Sequence, residues 1–151
     1  MKVYKSHEIK NISLLGSKGS GKTTLAEAML FECGVIKRRG TVEAKNTVSD
    51  YFPVEKEYGS SVFSTVFYAE FLNKKLNVID CPGADDFVGN AITALNVTDT
   101  GVILVDAQYG VEVGTQNIFR TCTGLNKPVI FAMNQLDGEK ADYDNVIEQM
   151  K

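Results

Sequence analysis

Residues 16–23 read Gly-Ser-Lys-Gly-Ser-Gly-Lys-Thr and follow the apolar run Ile-Ser-Leu-Leu at 12–15. This order matches the pattern G-x-x-x-x-G-K-[ST] between a strand and a helix, which is the phosphate-binding P-loop in the context that it requires. Its glycines allow backbone amides to turn inward around phosphate oxygens, and the following helix directs the positive end of its dipole at the same oxygens. The stretch therefore predicts a nucleotide site at the start of the first helix.

Two side chains of this loop carry chemistry of their own. The Lys22 ammonium suits the β- and γ-phosphates of a nucleotide, and the Thr23 hydroxyl suits the Mg²⁺ that bridges them. A Gly-rich turn that matched by accident would need every one of these positions to agree, so we set that interpretation aside. The residues predicted to bind nucleotide through this loop are Gly16, Ser17, Lys18, Gly19, Ser20, Gly21, Lys22, Thr23 and Thr24.

The composition sets broad limits on the class of protein. A chain of 151 residues with 44% apolar and 23% charged residues forms one globular domain or part of one. The net charge of −3 gives no general attraction to nucleic acid, and no sequence-specific nucleic-acid motif occurs. No apolar run predicts a membrane span or a signal peptide. The three scattered cysteines predict reduced thiols in a cytoplasmic protein, and the single histidine leaves no histidine-based metal cluster or catalytic triad. We expect these residues to be monomeric.

The order of secondary structure predicts the fold class. Strand-like runs at 9–15, 62–71, 76–79, 101–105 and 128–133 alternate with helix-like runs at 22–33, from after Asp85 to about Val97, at 112–124 and at 141–150. The second and third strands form an antiparallel hairpin, and the others are parallel. The prediction is the three-layer α/β fold of P-loop NTPases, a mostly parallel sheet with one antiparallel hairpin.

Two further features concern the middle of the chain. Residues 34–60 show no sustained periodicity, and so long a stretch inside a compact domain is usually functional or mobile. Phe63, Phe67, Phe71 and Phe131 lie in strand-like runs, and we expect them in the core rather than on a base-stacking surface.

Polar residues cluster where the predicted parallel strands end, which is where α/β sheets bind their ligands. Asp80-Cys-Pro-Gly83 has the pattern D-x-x-G, in which the aspartate holds a Mg²⁺-bound water and the glycine amide contacts a γ-phosphate. Asn134, Gln135 and Asp137 form the pattern N-x-x-D after the last strand. The Asp137 carboxylate can accept from the ring N–H and the exocyclic amine of guanine, a donor pair that adenine lacks. In this order behind a P-loop, the motifs predict a site for GTP or GDP.

These motifs resemble those of the GTP-binding domain of translational GTPases, specifically elongation factor G and the tetracycline-resistance ribosomal protection proteins. The resemblance covers nearly the whole chain and includes the segments 55–62, 78–87 and 106–112. It implies a ribosome-associated factor that cycles between GTP and GDP states with Mg²⁺. It also implies that residues 34–61 are the first switch, with Ser61 as a Mg²⁺ ligand beside Thr23 and Asp80.

Several positions depart from the family pattern. The family histidine that positions the attacking water is replaced by Ala84, whose methyl group can neither orient water nor carry charge. The family switch threonine is Ser61, the switch arginine is Tyr58, the P-loop aspartate is Gly19 and the lysine of the guanine motif is Gln135. We therefore expect the domain to bind GTP and Mg²⁺ and to hydrolyse GTP very slowly or not at all, and we assign no catalytic residue. The alternative is neutral drift in a working GTPase, in which the neighbouring Asp85 or Asp86 positions the water.

Proteins of this family continue with a further strand, a loop that closes over guanine and further domains. We therefore expect residues 1–151 to be the N-terminal part of a G domain, truncated at its C-terminal side, with those later parts absent. Three alternatives to a translocation factor stay open: a nucleotide-gated ribosome-binding module without catalysis, a ribosomal protection protein, and a P-loop ATPase or kinase. Asp137 argues against the last of these.

Overall fold

A computed structural model describes residues 2–151 as five strands in one sheet with helices on both faces. The strand order is β2-β3-β1-β4-β5; β2 and β3 are antiparallel, and the other neighbours are parallel. This arrangement confirms the predicted α/β fold. The strands are β1 (Ile9–Leu15), β2 (Thr65–Phe71), β3 (Lys74–Asp80), β4 (Thr100–Asp106) and β5 (Val129–Asn134).

The helices form the two outer layers. They are α1 (Lys22–Glu32), α2 (Pro53–Tyr58), α3 (Val88–Val97), α4 (Val113–Gly124) and α5 (Tyr143–Met150), with single 3-10 turns at Ser6–Glu8 and Asp85–Phe87. One apolar core joins α1 to one sheet face, and a second joins α3, α4 and α5 to the other. None of the helices within residues 2–151 has the length and apolar character needed to cross a bilayer.

The hairpin between β2 and β3 is tighter than the sequence suggests. Phe71 pairs with Lys74, so the turn consists of Leu72 and Asn73 alone. Both have positive φ angles, 45° and 60°, which suits the twist of a two-residue hairpin turn. The predicted turn at 72–75 is therefore two residues too long, and β3 begins at Lys74.

The expected burial of the phenylalanines is wrong for three of four. Phe67 is 9% exposed, but Phe63, Phe71 and Phe131 are 46%, 54% and 38% exposed. The reason is position in the sheet: β2 and β5 are the two edge strands, and Phe63 precedes β2. A strand at an edge receives less cover from the helices than β1 or β4, so its apolar residues do not all reach the core.

The segment without periodicity contains one helix. Pro53–Tyr58 form α2, which begins with proline at a first-turn position and ends at Gly59 with a φ of +63°. Proline suits the first turn because its missing N–H has no partner there, and glycine suits the left-handed end. A helix of six residues is too short to give a periodic signal, which explains why the sequence did not reveal it.

Candidate nucleotide site

The P-loop joins β1, the central strand, to α1. Leu14 at the end of β1 is paired with Asp80 of β3, and Asp106 of β4 is paired with Asn134 of β5. Because the carboxyl ends of these parallel strands lie along one edge of the sheet, the fold brings the P-loop, the D-x-x-G motif and the N-x-x-D motif to that edge.

Lys22 lies in the mouth of the P-loop and is only 6% exposed. Its Nζ donates to the backbone oxygens of Gly16 at 3.0 Å and Ser17 at 2.8 Å. Burial lowers the pKa of Lys22, while the nearby Asp80 carboxylate opposes that shift. The ammonium is thus held by carbonyl oxygens at the position where the resemblance places the phosphates.

Oxygen atoms from three parts of the chain converge beside the start of α1. The Thr23 hydroxyl donates to Asp80 Oδ2 at 3.0 Å, and the Ser61 hydroxyl donates to Asp50 Oδ1 at 2.6 Å. The two hydroxyl oxygens lie 3.2 Å apart. Hydroxyl and carboxylate oxygens are the donors that Mg²⁺ prefers. The predicted metal residues Thr23, Ser61 and Asp80 therefore lie together, and Asp50 joins them.

Burial disfavours the charged form of the two carboxyl groups in this cluster, those of Asp80 and Asp50. Burial raises the pKa of Asp80 to about 6, and the nearby hydroxyls of Ser49 and Thr23 and the Lys22 ammonium oppose that rise. Burial likewise raises the pKa of Asp50, and the hydrogen bond from Ser61 lowers it. The second oxygen of Asp80, Oδ1, is buried without a hydrogen-bond partner among the described residues. A buried carboxylate oxygen of this kind fits a bound cation or a water that the cation holds.

Gly83 packs directly against the P-loop. A Cβ atom at Gly83 would overlap Lys22 Nζ and would lie 2.8 Å from the backbone nitrogen of Lys18. Any side chain here would push the D-x-x-G motif away from the loop, so glycine is required by space alone. The two elements enclose a cavity of about 150 Å³, lined among others by Lys22, Thr23, Asp50, Ser61, Gly83 and Ala84. Ala84 lines this cavity with its methyl group.

Two amide side chains tie the N-x-x-D motif to the P-loop. Asn134 Nδ2 donates to Ser20 O at 2.9 Å, and Gln135 Nε2 donates to Gly19 O at 2.7 Å. Gly21 makes the first contact possible, because its φ is +91° and a Cβ atom there would overlap Asn134 Nδ2. The loop that would select the base is thus fixed to the loop that would hold the phosphates.

The other predicted residues differ in their surroundings. Ser17 is buried, with its hydroxyl 3.3 Å from that of Thr115. Ser20 is buried and its hydroxyl has no partner among the described residues. Lys18, Gly19, Thr24 and Asp137 are exposed. Thr24 and Asp137 form none of the described side-chain hydrogen bonds, so the structure places them near the motifs without joining them to the rest of the site.

Sequence reasoning missed three buried carboxylates that border the site. Asp50, Glu27 and Glu55 are 6%, 1% and 1% exposed, respectively. Asp50 and Glu55 lie in the stretch without periodicity, and Glu27 reads as an ordinary polar position of α1. On the face of α1 that Glu27 shares, Thr23 and Thr24 precede it and Leu30 and Phe31 follow it, so no local pattern marks Glu27 as buried.

Fold and site together define a P-loop nucleotide-binding domain of the G-domain class. The elongation factor Tu GTP binding domain family matches residues 7–151, and the chain belongs to that family. A crystal structure of a Thermus thermophilus protein superimposes with a TM-score of 0.91 at 36% identity, covering 94% of this chain and 21% of that one.

Three curated relatives carry names that refer to ribosome release, elongation and drug resistance. Ribosome-releasing factor 2, mitochondrial, of Candida dubliniensis is 34% identical over 97% of this chain and 18% of its own length. An elongation factor G-like protein of Thermotoga maritima is 34% identical over 95% of this chain and 20% of its own length. Tetracycline resistance protein TetO of Streptococcus pneumoniae is 33% identical over 95% of this chain and 22% of its own length. The chain thus spans about a fifth of the length of each relative.

Proposed function

We propose that this chain binds GTP and GDP with Mg²⁺ and serves as the nucleotide-binding part of an elongation factor G-like translation factor that acts on the ribosome. The observation that carries the proposal is the pair of hydrogen bonds from Asn134 and Gln135 to the P-loop carbonyls. They hold a base-selecting motif at a fixed offset from a phosphate-binding motif, which is the requirement for recognising a whole nucleotide.

The phosphate end would act through charge and through backbone amides. Lys22 would exchange its two carbonyl contacts for phosphate oxygens, and the amides of the P-loop would surround the same oxygens. Mg²⁺ would be held by the Thr23 and Ser61 hydroxyls. The Asp80 and Asp50 carboxylates would accept hydrogen bonds from waters bound to the ion. The bound ion would add to the positive charge of Lys22 beside these two buried carboxylates.

The base end would act through Asp137. Its carboxylate would accept from the ring N–H and the exocyclic amine of guanine, while Asn134 and Gln135 hold the loop in place. Adenine offers no such pair of donors, so ATP would bind more weakly. This selection separates a GTP-binding factor from a P-loop ATPase or kinase.

Ala84 supports slow or absent hydrolysis. It stands at the position of the family's water-positioning histidine and lines the cavity beside Lys22 and Ser61. A methyl group gives a water molecule no hydrogen bond, and loss of such a group costs orders of magnitude in rate. The same observation favours a second candidate, a module in which bound GTP gates attachment to the ribosome and no turnover is needed. A ribosomal protection role is a variant of the first candidate.

Nucleotide selection is tested by calorimetry on the full-length protein with Mg²⁺. We expect GDP and a GTP analogue to bind and ATP to bind at least tenfold more weakly. Absence of heat with any guanine nucleotide would overturn the proposal, and equal binding of ATP would return the chain to the ATPase or kinase class.

Hydrolysis is tested by single-turnover measurements with ribosomes. Ala84→His restores a water-positioning group, and Ala84→Ser is the matched control that adds a polar atom without its reach. We expect a rate near background for the native protein and the serine variant, and an increase for the histidine variant. Native turnover as fast as that of an ordinary elongation factor would contradict slow hydrolysis. Sedimentation with ribosomes in GTP and GDP would then test the gating alternative.

We further propose that the factor acts as a monomer in the cytoplasm. Its three cysteines are free thiols, with Cys81 and Cys122 buried, which suits a reducing compartment. Several fungal relatives have names that include the word mitochondrial, so cell fractionation is the measurement that decides between the two compartments.

A further inference from the structure

The P-loop carries a second lysine, Lys18, on the N-terminal side of Lys22. The two differ in burial: Lys22 is 6% exposed and is held inside the loop, whereas the side chain of Lys18 is exposed. Among the residues that the structure describes, Lys18 forms no ion pair. A lysine is a compact positive charge on a flexible stem, so the Lys18 ammonium can turn toward an anionic ligand at the mouth of the loop.

The backbone of Lys18 lies against the D-x-x-G motif. A Cβ atom added at Gly83 would lie 2.8 Å from the backbone nitrogen of Lys18. The glycine amide of this motif contacts a γ-phosphate only while that phosphate is present. Lys18 would therefore lie beside the third phosphate of a bound nucleotide rather than beside the first two.

Lys18 lines two cavities that meet at Gly83 and Ala84. One is the phosphate cavity of about 150 Å³, which Lys18 shares with Lys22. The other has a volume of about 510 Å³ and also borders Glu112. Because Gly83 and Ala84 carry at most a methyl group, little side-chain bulk separates the Lys18 side chain from the phosphate cavity.

The charges already in the site leave a use for a further cation. GTP carries more negative charge than GDP, and the excess lies on the γ-phosphate. Lys22 and a bound Mg²⁺ would face that charge, but Asp80 and Asp50 lie close enough to Lys22 to influence its pKa and offset part of its positive charge. A second ammonium beside the γ-phosphate would therefore stabilise bound GTP more than bound GDP.

We propose that the Lys18 ammonium binds the γ-phosphate and makes the site selective for a nucleoside triphosphate over the diphosphate. Lys18 is then a specificity-determining residue, whereas Lys22 serves both nucleotides. The inference rests on the proposed function and deepens it, because a factor that cycles between GTP and GDP states must distinguish the two.

The test is calorimetry on the full-length protein with Mg²⁺, using GDP and a non-hydrolysable GTP analogue at about 50 mM salt. Lys18→Met keeps an unbranched side chain and removes the charge. We expect its affinity for the analogue to fall about tenfold and its affinity for GDP to stay within about twofold of native, because only the analogue carries a γ-phosphate. Lys18→Arg keeps the charge and should keep the native preference.

Raised salt separates charge from packing. An exposed ammonium is screened by salt, so at about 0.5 M salt the effect of Lys18→Met on the analogue should shrink to about threefold or less. Lys140→Met changes an exposed lysine in the loop after β5 and should alter neither affinity at either salt concentration. Phosphorus NMR of the bound analogue gives a second measurement: in Lys18→Met the γ-phosphorus resonance should move, and the α-phosphorus resonance should not.

The outcomes distinguish this inference from the function on which it rests. If native protein binds both nucleotides, the role of Lys18 is overturned by equal weakening of both in Lys18→Met, by no change in either, or by a loss that persists undiminished at high salt. The proposed function survives each of these results. If native protein binds neither nucleotide, the proposed function fails, and the selectivity assigned to Lys18 fails with it.

Discussion

At the phosphate end of the candidate site, Lys22 and Asp80 are 6% and 1% exposed, whereas Asp137 at the base end stands in solvent. The phosphate end buries charges of both signs together with the hydroxyls of Thr23 and Ser61. The base end is a loop fixed by two amide contacts. Buried charges lower stability unless a ligand compensates them, while an exposed carboxylate costs the fold almost nothing.

This difference has a consequence for mutations. A change at the phosphate end should alter both nucleotide affinity and the stability of the ligand-free protein. A change at the base end should alter affinity and selectivity while stability stays constant. The four changes below test that division, from the largest expected effect to the smallest.

Lys22→Ala should have the largest effect on affinity. The variant removes the buried ammonium of the P-loop, and hydrogen bonds to a charged group contribute about 1.5–3 kcal/mol each, so we expect GDP affinity to fall about a hundredfold or more. Calorimetry with GDP and Mg²⁺ measures this. The control is Lys140→Ala, which changes an exposed lysine in the loop after β5. Unchanged affinity in Lys22→Ala would exclude this loop as the phosphate site.

Asp80→Asn should change stability in a manner that depends on pH. The pKa of Asp80 in the folded protein is about 6, above its ordinary value of 3.8, so folding favours the neutral carboxyl group. Native stability relative to the variant is therefore greatest below about pH 4 and falls as the pH rises to about 6. Between about pH 4 and pH 7, the stability of the ligand-free native protein relative to the variant should therefore fall by about 2–3 kcal/mol.

Urea unfolding of native and Asp80→Asn protein between about pH 4 and pH 8, without nucleotide or Mg²⁺, measures this difference. The matched variant is Asp86→Asn, an exposed carboxyl group shortly after the same strand. If the difference in unfolding free energy between native protein and Asp80→Asn stays constant across this range, burial does not raise the pKa of Asp80. The contrast between the two ends then loses its main support.

Asp137→Asn should alter selectivity without altering stability. The variant replaces one acceptor oxygen by an NH₂ group that faces the donors of guanine, so GTP affinity should fall about tenfold or more and the preference over ATP should shrink. Since Asp137 is exposed, the melting temperature should stay within about 1 °C of native. Glu139→Gln, an exposed neighbour, is the control. A large loss of stability would show that the base end is also part of the folded framework.

The sequence predicts the motifs at both ends of the site better than it predicts the parts that surround them. The P-loop and the motif at Asn134 are contiguous patterns at strand ends, so spacing alone locates them. The contact of Glu27 with Val48 joins residues 21 positions apart through backbone atoms, which leave no trace in side-chain periodicity. Exposure of Phe131 depends on β5 being an edge strand, and strand order is not encoded in any local pattern. Local motifs were therefore predictable, while the polar supports and the edges of the sheet were not.

Gln135→Ala should have the smallest effect, and it tests how the two ends are joined. Gln135 Nε2 donates to Gly19 O at 2.7 Å, and a neutral hydrogen bond of this kind contributes about 1 kcal/mol, so affinity for GDP should fall about fivefold. Gln135→Lys restores the residue type of the resembling family and should keep the affinity near native, because an ammonium can donate to the same carbonyl. Calorimetry on the two variants beside native protein measures both effects.

If Gln135→Ala and Gln135→Lys lower the affinity for GDP equally, the Gln135 side chain holds the base loop through its shape rather than through its hydrogen bond to Gly19 O. If neither has an effect, Asn134 alone joins the two ends, and its contact with Ser20 O at 2.9 Å is the one that fixes the offset between base and phosphates. A combined Asn134→Ala and Gln135→Ala variant then decides the matter. It should lose affinity for GDP while binding of pyrophosphate, which needs only the phosphate end, stays near native.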